Sequence, residues 1–151
     1  MIIVWGFKKM QNSRALRRGR YSIEGGHYLI TVATRKRYPY FLSFEHACSA
    51  SKSFYQPRVT LVANTLSYVV MPDHIHWLLQ LNGELSEAVR RYKSYVSLDV
   101  GERIWQDGFH DRMIRKEEDI KAVARYIVGN PLRAGLVANI NHYSFWNAAW
   151  L

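Results

Sequence analysis

Two histidines one residue apart, His74 and His76, fall in a strand-forming run, Tyr68-Val-Val-Met-Pro-Asp-His-Ile-His-Trp-Leu-Leu-Gln-Leu81. Side chains alternate between the two faces of an extended strand. His74, His76, Leu78 and Gln80 therefore point one way, while Ile75, Trp77, Leu79 and Leu81 point the other and read as the core face. Two imidazoles placed like this, with apolar residues behind them, can hold one metal ion. Two surface histidines on a half-buried strand would leave the same pattern, and the residues that separate the readings lie further along. Ile120, Val123, Ala124 and Ile127 recur at helical spacing and form a buried stripe. At about 100° per residue, Tyr126 and Asn130 lie together on one flank of that stripe. If the flank faces the histidines, two imidazoles and the Asn130 carbonyl oxygen converge on a divalent cation with Tyr126 beside it. Taken alone, Tyr126 reads as a packed helix tyrosine, since its ring has much apolar area to bury.

The chemistry that this set suits is phosphodiester cleavage. A tyrosine hydroxyl is unreactive at its ordinary pKa of about 10, and an anionic phosphate resists attack. A metal on a phosphate oxygen neutralises charge, orients the phosphorus and stabilises the transition state. A tyrosine nucleophile forms a covalent phosphoester and so keeps the bond energy for rejoining, whereas a simple hydrolase could use water. A zinc hydrolase built on His74, His76 and a third histidine such as His110 is a competing reading, since zinc favours nitrogen and sulfur ligands. A nucleic-acid-binding module without catalysis is another.

Two motifs carry a family resemblance. Met71-Pro-Asp-His-Ile-His-Trp-Leu-Leu79 resembles the His-hydrophobe-His (HUH) motif of the single-tyrosine transposases. Ala124-Arg-Tyr-Ile-Val-Gly-Asn-Pro-Leu-Arg-Ala-Gly-Leu-Val137 resembles their nucleophile helix, with Tyr126 at the catalytic position and Asn130 in place of the additional metal ligand. Trp105-Gln-Asp-Gly-Phe-His-Asp-Arg-Met-Ile-Arg115 and the Gly25-Gly-His-Tyr28 entry to the first strand fit as well. The resemblance is greatest to the REP-associated tyrosine transposases, beside the insertion-sequence transposases, and runs from about Arg18 to Trp146. His-x-His alone has little specificity; joined to Tyr-x3-Asn-Pro-x-Arg-Ala-Gly it has much. The resemblance implies a ferredoxin-like core and Mg²⁺ or Mn²⁺ as cofactor. It implies single-stranded DNA with hairpin or palindromic element ends as partner. The implied reaction cleaves and rejoins that DNA through a 5′-phosphotyrosine and a free 3′-OH. Insertion-sequence relatives are homodimers, while several REP-associated relatives act as monomers, so oligomeric state stays open. Gly129 departs from good helix composition. It either loosens the helix after Tyr126 or begins its end before Pro131.

The charge balance points the same way. Lys and Arg number 21 against 12 acidic residues, for a net charge of +9. Such an excess favours polyanions, nucleic acid before membrane surface. The charge is clustered. Residues 1–20 read as a basic arm carrying Arg14, Arg17, Arg18 and Arg20, followed by one catalytic domain over 21–151. Arg35, Lys36 and Arg37 open a loop that also holds Tyr38 and Tyr40, a pairing of cations and rings suited to single-stranded nucleic acid. Arg90, Arg91 and Lys93 mark the outer face of a helix. These ten cations are the candidate phosphate contacts. One cysteine, Cys48, rules out a disulfide within the chain. No apolar run has the length of a membrane span, and the N-terminus lacks a signal-peptide layout, so a cytoplasmic protein is expected.

These groups need elements to position them. Strands are expected over Tyr28–Thr34, Thr65–Met71 and His74–Leu81, with strand character towards the end of Arg103–Arg115. Helices are expected over Ser43–Tyr55, from Leu85 to Gly101 on the stripe Leu85, Val89, Tyr92, Val96, and from Lys116 to about Gly129-Asn130. That order, with a central hairpin at Pro72-Asp73, predicts an α+β fold: an antiparallel sheet with helices packed on one face and the histidines on a central strand.

Overall fold

The computed structural model describes residues 22–150. The arm with Arg14, Arg17, Arg18 and Arg20 lies outside the described residues. Among the described residues the strands are β1 (His27–Ala33), β2 (Ala63–Met71), β3 (His74–Leu81), β4 (His110–Ile114) and β5 (Trp146–Ala148). The α-helices are α1 (Phe44–Ser53), α2 (Pro57–Thr60), α3 (Leu85–Val100), α4 (Glu117–Val128) and α5 (Asn130–Arg133). The five strands form one antiparallel sheet in the order β4-β1-β3-β2-β5. The expected α+β fold is observed, with the His-x-His strand at its centre.

Alternation along β3 works as the sequence predicts. Ile75, Trp77 and Leu79 are fully buried in the larger core, together with Tyr28, Ile30 and Val32 of β1 and Tyr68 and Val70 of β2. Helices α1 and α3 cover this face. Ser43 caps α1 by accepting from the His46 N–H at 3.4 Å. The stripe Leu85, Val89, Tyr92, Val96 is buried, joined by Ala88. Gly101 ends α3 at φ 87°, a left-handed turn that glycine takes without a Cβ penalty. Phe54 lies between Tyr68 and Tyr92, with ring centroids at 4.4 and 4.3 Å, and knits α1, α3 and the sheet together.

The histidine face has a helix of its own. Val69, Met71, Leu78 and Ile114 make it apolar enough to need cover, and Ile120, Val123, Ala124 and Ile127 of α4 supply it. The expectation of helices on one face holds for α1 and α3 only: α4 covers the opposite face, the one that bears the histidines, because that face is too apolar to be left bare. The C-terminal tail adds β5 beside β2, an element that three residues of strand did not announce. We expect Phe54→Ala to cost about 3–5 kcal/mol of unfolding free energy, read from urea denaturation. A loss under about 1 kcal/mol would show that the aromatic stack is not central to this core.

Candidate functional site

The site is assembled by strand register. Thr31 of β1 and Val69 of β2 flank His76, and Ala33 and Met71 flank His74. The two imidazoles share a face with ring centroids 4.9 Å apart. Each Nδ1 is already engaged: that of His74 with Asp73 Oδ1 at 2.7 Å, that of His76 with Thr31 Oγ1 at 2.9 Å. The carboxylate can only accept, so it holds a proton on His74 Nδ1 and leaves Nε2 to face the site. Asp73 is held in turn by Arg37 Nε at 2.9 Å. Burial pushes the Asp73 carboxyl up, but the hydrogen bond and charge of His74, with the charge and hydrogen bond of Arg37, outweigh it and bring the pKa below the usual value.

His76 is the more perturbed group. Burial is the largest cause, followed by the positive charges of His74, Arg133 and Arg37. Together they lower its pKa to about 3, although one edge of the residue stays partly exposed. The ring is therefore neutral at physiological pH, the form that binds metals.

Arg133 connects this pair to the tyrosine. Its charge acts on His76, and its guanidinium stacks over the Tyr126 ring at 4.0 Å from the centroid. Its Nη2 also donates to the Tyr126 backbone carbonyl. Asn130 does not continue the same helix. Helix α4 ends at Val128, Gly129 is its C-cap, and Asn130 opens the short α5 with Pro131. Gly129 thus begins the helix end rather than loosening a continuous helix. The Asn130 amide nitrogen is buried and lacks a hydrogen-bond partner. An amide in such a position is suited to a ligand or to a rotated pose with its oxygen turned inward.

The other candidates divide by location. The loop Arg35–Arg37 packs beside the Pro72-Asp73 turn, with Thr34 Oγ1 donating to the Tyr38 and Asp73 carbonyls. Lys36 and Arg37 sit at φ 52° and 58°, a left-handed conformation that costs non-glycine residues about 1–2 kcal/mol each. Arg90, Arg91 and Lys93 lie on α3, in the layer opposite the histidines. Arg90 and Arg91 both pair with Glu87, and Lys93 Nζ donates to the Gln106 and Gly108 carbonyls. His110 is on the histidine face but pairs with Thr31, which in turn pairs with His76. It stands two strands away, about 10 Å at the usual strand spacing. No group of three His, Cys, Asp or Glu able to hold a metal exists among the described residues, so the zinc reading with His110 loses its third ligand.

Sequence reasoning missed Thr31 and gave no role to Asp73 or Arg133. Arg133 reaches Tyr126 from the separate short helix α5, across the break at Gly129, a return that helical spacing does not reveal. Thr31 depends on strand register, which no local spacing reveals.

The chain combines an antiparallel α+β fold, paired histidines on its central strand and a tyrosine-bearing helix on the histidine face. The chain is homologous to REP-associated tyrosine transposases. It is 26% identical to the REP-associated tyrosine transposase of Escherichia coli (strain K12) over 130 residues, covering 83% of this chain and 78% of that protein. It is 22% identical to a putative REP-associated tyrosine transposase of Haemophilus influenzae over 140 residues, covering 81% and 79%. Its fold matches a solved REP-associated tyrosine transposase bound to a REP hairpin, with TM-score 0.69 and 27% identity over 84% of this chain and 79% of that one. No family model matches the chain. No helix among the described residues is long and apolar enough to cross a membrane.

The lowered pKa of His76 has a sign that can be tested. The folded state binds fewer protons at His76 than the unfolded chain between the ordinary histidine value of 6.5 and about 3. The associated stability is complete above that window and is lost as pH falls through it. The urea midpoint should therefore drop between pH 7.5 and 5, and less so in His76→Gln. An equal drop in both proteins would mean that His76 is not held neutral by the fold.

Proposed function

We propose that this protein is a DNA transposase that cleaves and rejoins single-stranded DNA through Tyr126. The observation that carries the reading is that α4, the helix bearing Tyr126, packs on the sheet face that carries His74 and His76. Homology to REP-associated tyrosine transposases supports it. The chemistry of the donor set fits a divalent cation, Mg²⁺ or Mn²⁺. His74 and His76 have their Nδ1 atoms engaged and can offer Nε2, and the buried Asn130 amide can offer its oxygen. When bound, the cation would neutralise and orient the scissile phosphate.

The residues of the chain do the rest. Tyr126 Oη attacks phosphorus. The bond to the 3′ oxygen breaks, the phenolic proton is released to solvent, and the 3′ oxygen takes one up. A 5′-phosphotyrosine and a free 3′-OH result, and attack by a 3′-OH reverses the step. Thr31 and Asp73 hold the imidazoles in one orientation, and Arg37 holds Asp73. The partner is DNA, with a hairpin at the element end as the recognised feature. Arg35, Lys36 and Arg37, in the loop beside the Pro72-Asp73 turn, are phosphate contacts in this scheme, with the exposed Tyr38 ring beside them for base stacking. The N-terminal cations from Arg14 to Arg20 and the α3 cluster Arg90, Arg91 and Lys93 are further phosphate contacts in this scheme. Residence in the cytoplasm agrees with such a substrate.

The test is Tyr126→Phe, incubated with labelled single-stranded DNA from the flanks of its own gene and Mn²⁺, then run on a denaturing gel. Folding should survive at a cost of about 1 kcal/mol, and DNA binding should persist. The covalent adduct should vanish. Undiminished adduct in the variant would mean that another residue is the nucleophile. DNA binding without adduct in the wild-type protein would leave a non-catalytic binding module.

A further inference from the structure

Gly129 and Arg133 form a unit that the reaction scheme above does not use. Gly129 ends α4 in ordinary helical space, φ −75° and ψ −5°, so no turn demands glycine here. What demands it is space. A Cβ on Gly129 would stand 2.7 Å from Arg133 Nη1 and 3.3 Å from the Arg125 carbonyl oxygen. The guanidinium occupies the volume where that carbon would be. From there it lies flat enough to reach the Tyr126 ring at 4.0 Å from the centroid and to donate to the Tyr126 carbonyl. A planar cation over an aromatic face is attracted by the ring quadrupole, and the fork of donors fixes its orientation. One side chain thus grips both the ring and the backbone of the same residue.

We propose that Arg133 is a positioning residue for Tyr126, holding the phenol in its reactive direction, and that Gly129 is the opening that admits it. This rests on the reading of Tyr126 as nucleophile. Tyr126 is partly exposed on a helix end, where a tyrosine ring can otherwise change rotamer. Clamping removes that freedom before the DNA arrives, and the benefit appears in the rate of attack rather than in binding.

The test measures single-turnover adduct formation at saturating single-stranded DNA and Mn²⁺ in Arg133→Ala, Arg133→Lys, Gly129→Ala and the double variant Gly129→Ala/Arg133→Ala. DNA affinity, Mn²⁺ affinity and the urea midpoint are measured in parallel. Arg133→Ala and Gly129→Ala should each slow the reaction about 10- to 100-fold at saturating DNA and Mn²⁺, a loss in rate that neither affinity accounts for. Gly129→Ala should remain folded, because the nearest atom is the far end of a flexible side chain and the Arg125 carbonyl, at 3.3 Å, need give only slightly; the urea midpoint checks this. The double variant should be no slower than the worse single one, since both changes break the same contact. Lysine, lacking the plane and the fork, should not restore the rate. In nuclear magnetic resonance spectra, the Arg133 side-chain resonances should shift upfield under the Tyr126 ring and return in Gly129→Ala. A wild-type rate in Gly129→Ala would overturn the proposal. So would multiplicative losses in the double variant, or a fall in DNA affinity that accounts for the slowing. If the wild-type protein forms no adduct, the reading of Tyr126 fails. The resonance shift, and its loss in Gly129→Ala, would still report whether Arg133 holds the ring.

Discussion

Strand β3 is hydrogen-bonded on both edges, to β1 and to β2, and covered on both faces by helices. Its alternation therefore has no register to slip into. A shift of one residue would turn Ile75, Trp77 and Leu79 out of the larger core and His74 and His76 into it. The apolar side of the strand fixes the imidazoles as firmly as any contact they make themselves. The same pleat sets Thr31 and Val69 beside His76, so the partner that orients one ring is delivered by strand pairing and not by a local motif.

The two histidines solve the cost of burial differently. His74 is buried with a carboxylate at 2.7 Å, and that carboxylate is tied to Arg37. The loop that carries Arg37 holds two consecutive left-handed residues, Lys36 and Arg37, pinned by Thr34. Strain of this kind persists only where the surroundings over-determine it, and here it aims a guanidinium at the residue preceding a histidine. His76 has a neutral hydroxyl instead and several cations nearby, and it gives up its charge altogether. His76 is thereby neutral at physiological pH.

Much of this was legible beforehand, for physical reasons. Period-two alternation around the histidines and the stripe of Ile120, Val123, Ala124 and Ile127 are local signals, and each returned as the expected element. Strand β5 was not legible, because three residues beside a broken, aromatic tail carry no period. The face chosen by α4 followed only conditionally, since it depends on Val69, Met71, Leu78 and Ile114 coming together from three strands. Gly129 shows the limit most clearly. Propensity says that it disfavours a helix, yet only the position of Arg133 says why it is there.

In the proposed site His74, His76 and Asn130 face one point next to Tyr126. Anomalous diffraction at the manganese edge, from crystals soaked in Mn²⁺, tests it most directly. The account predicts one strong peak within bonding distance of both Nε2 atoms, with the Asn130 amide oxygen turned towards it and the Tyr126 hydroxyl alongside. A peak on the Asp73 carboxylate or at His110, with the two Nε2 atoms bare, would contradict it.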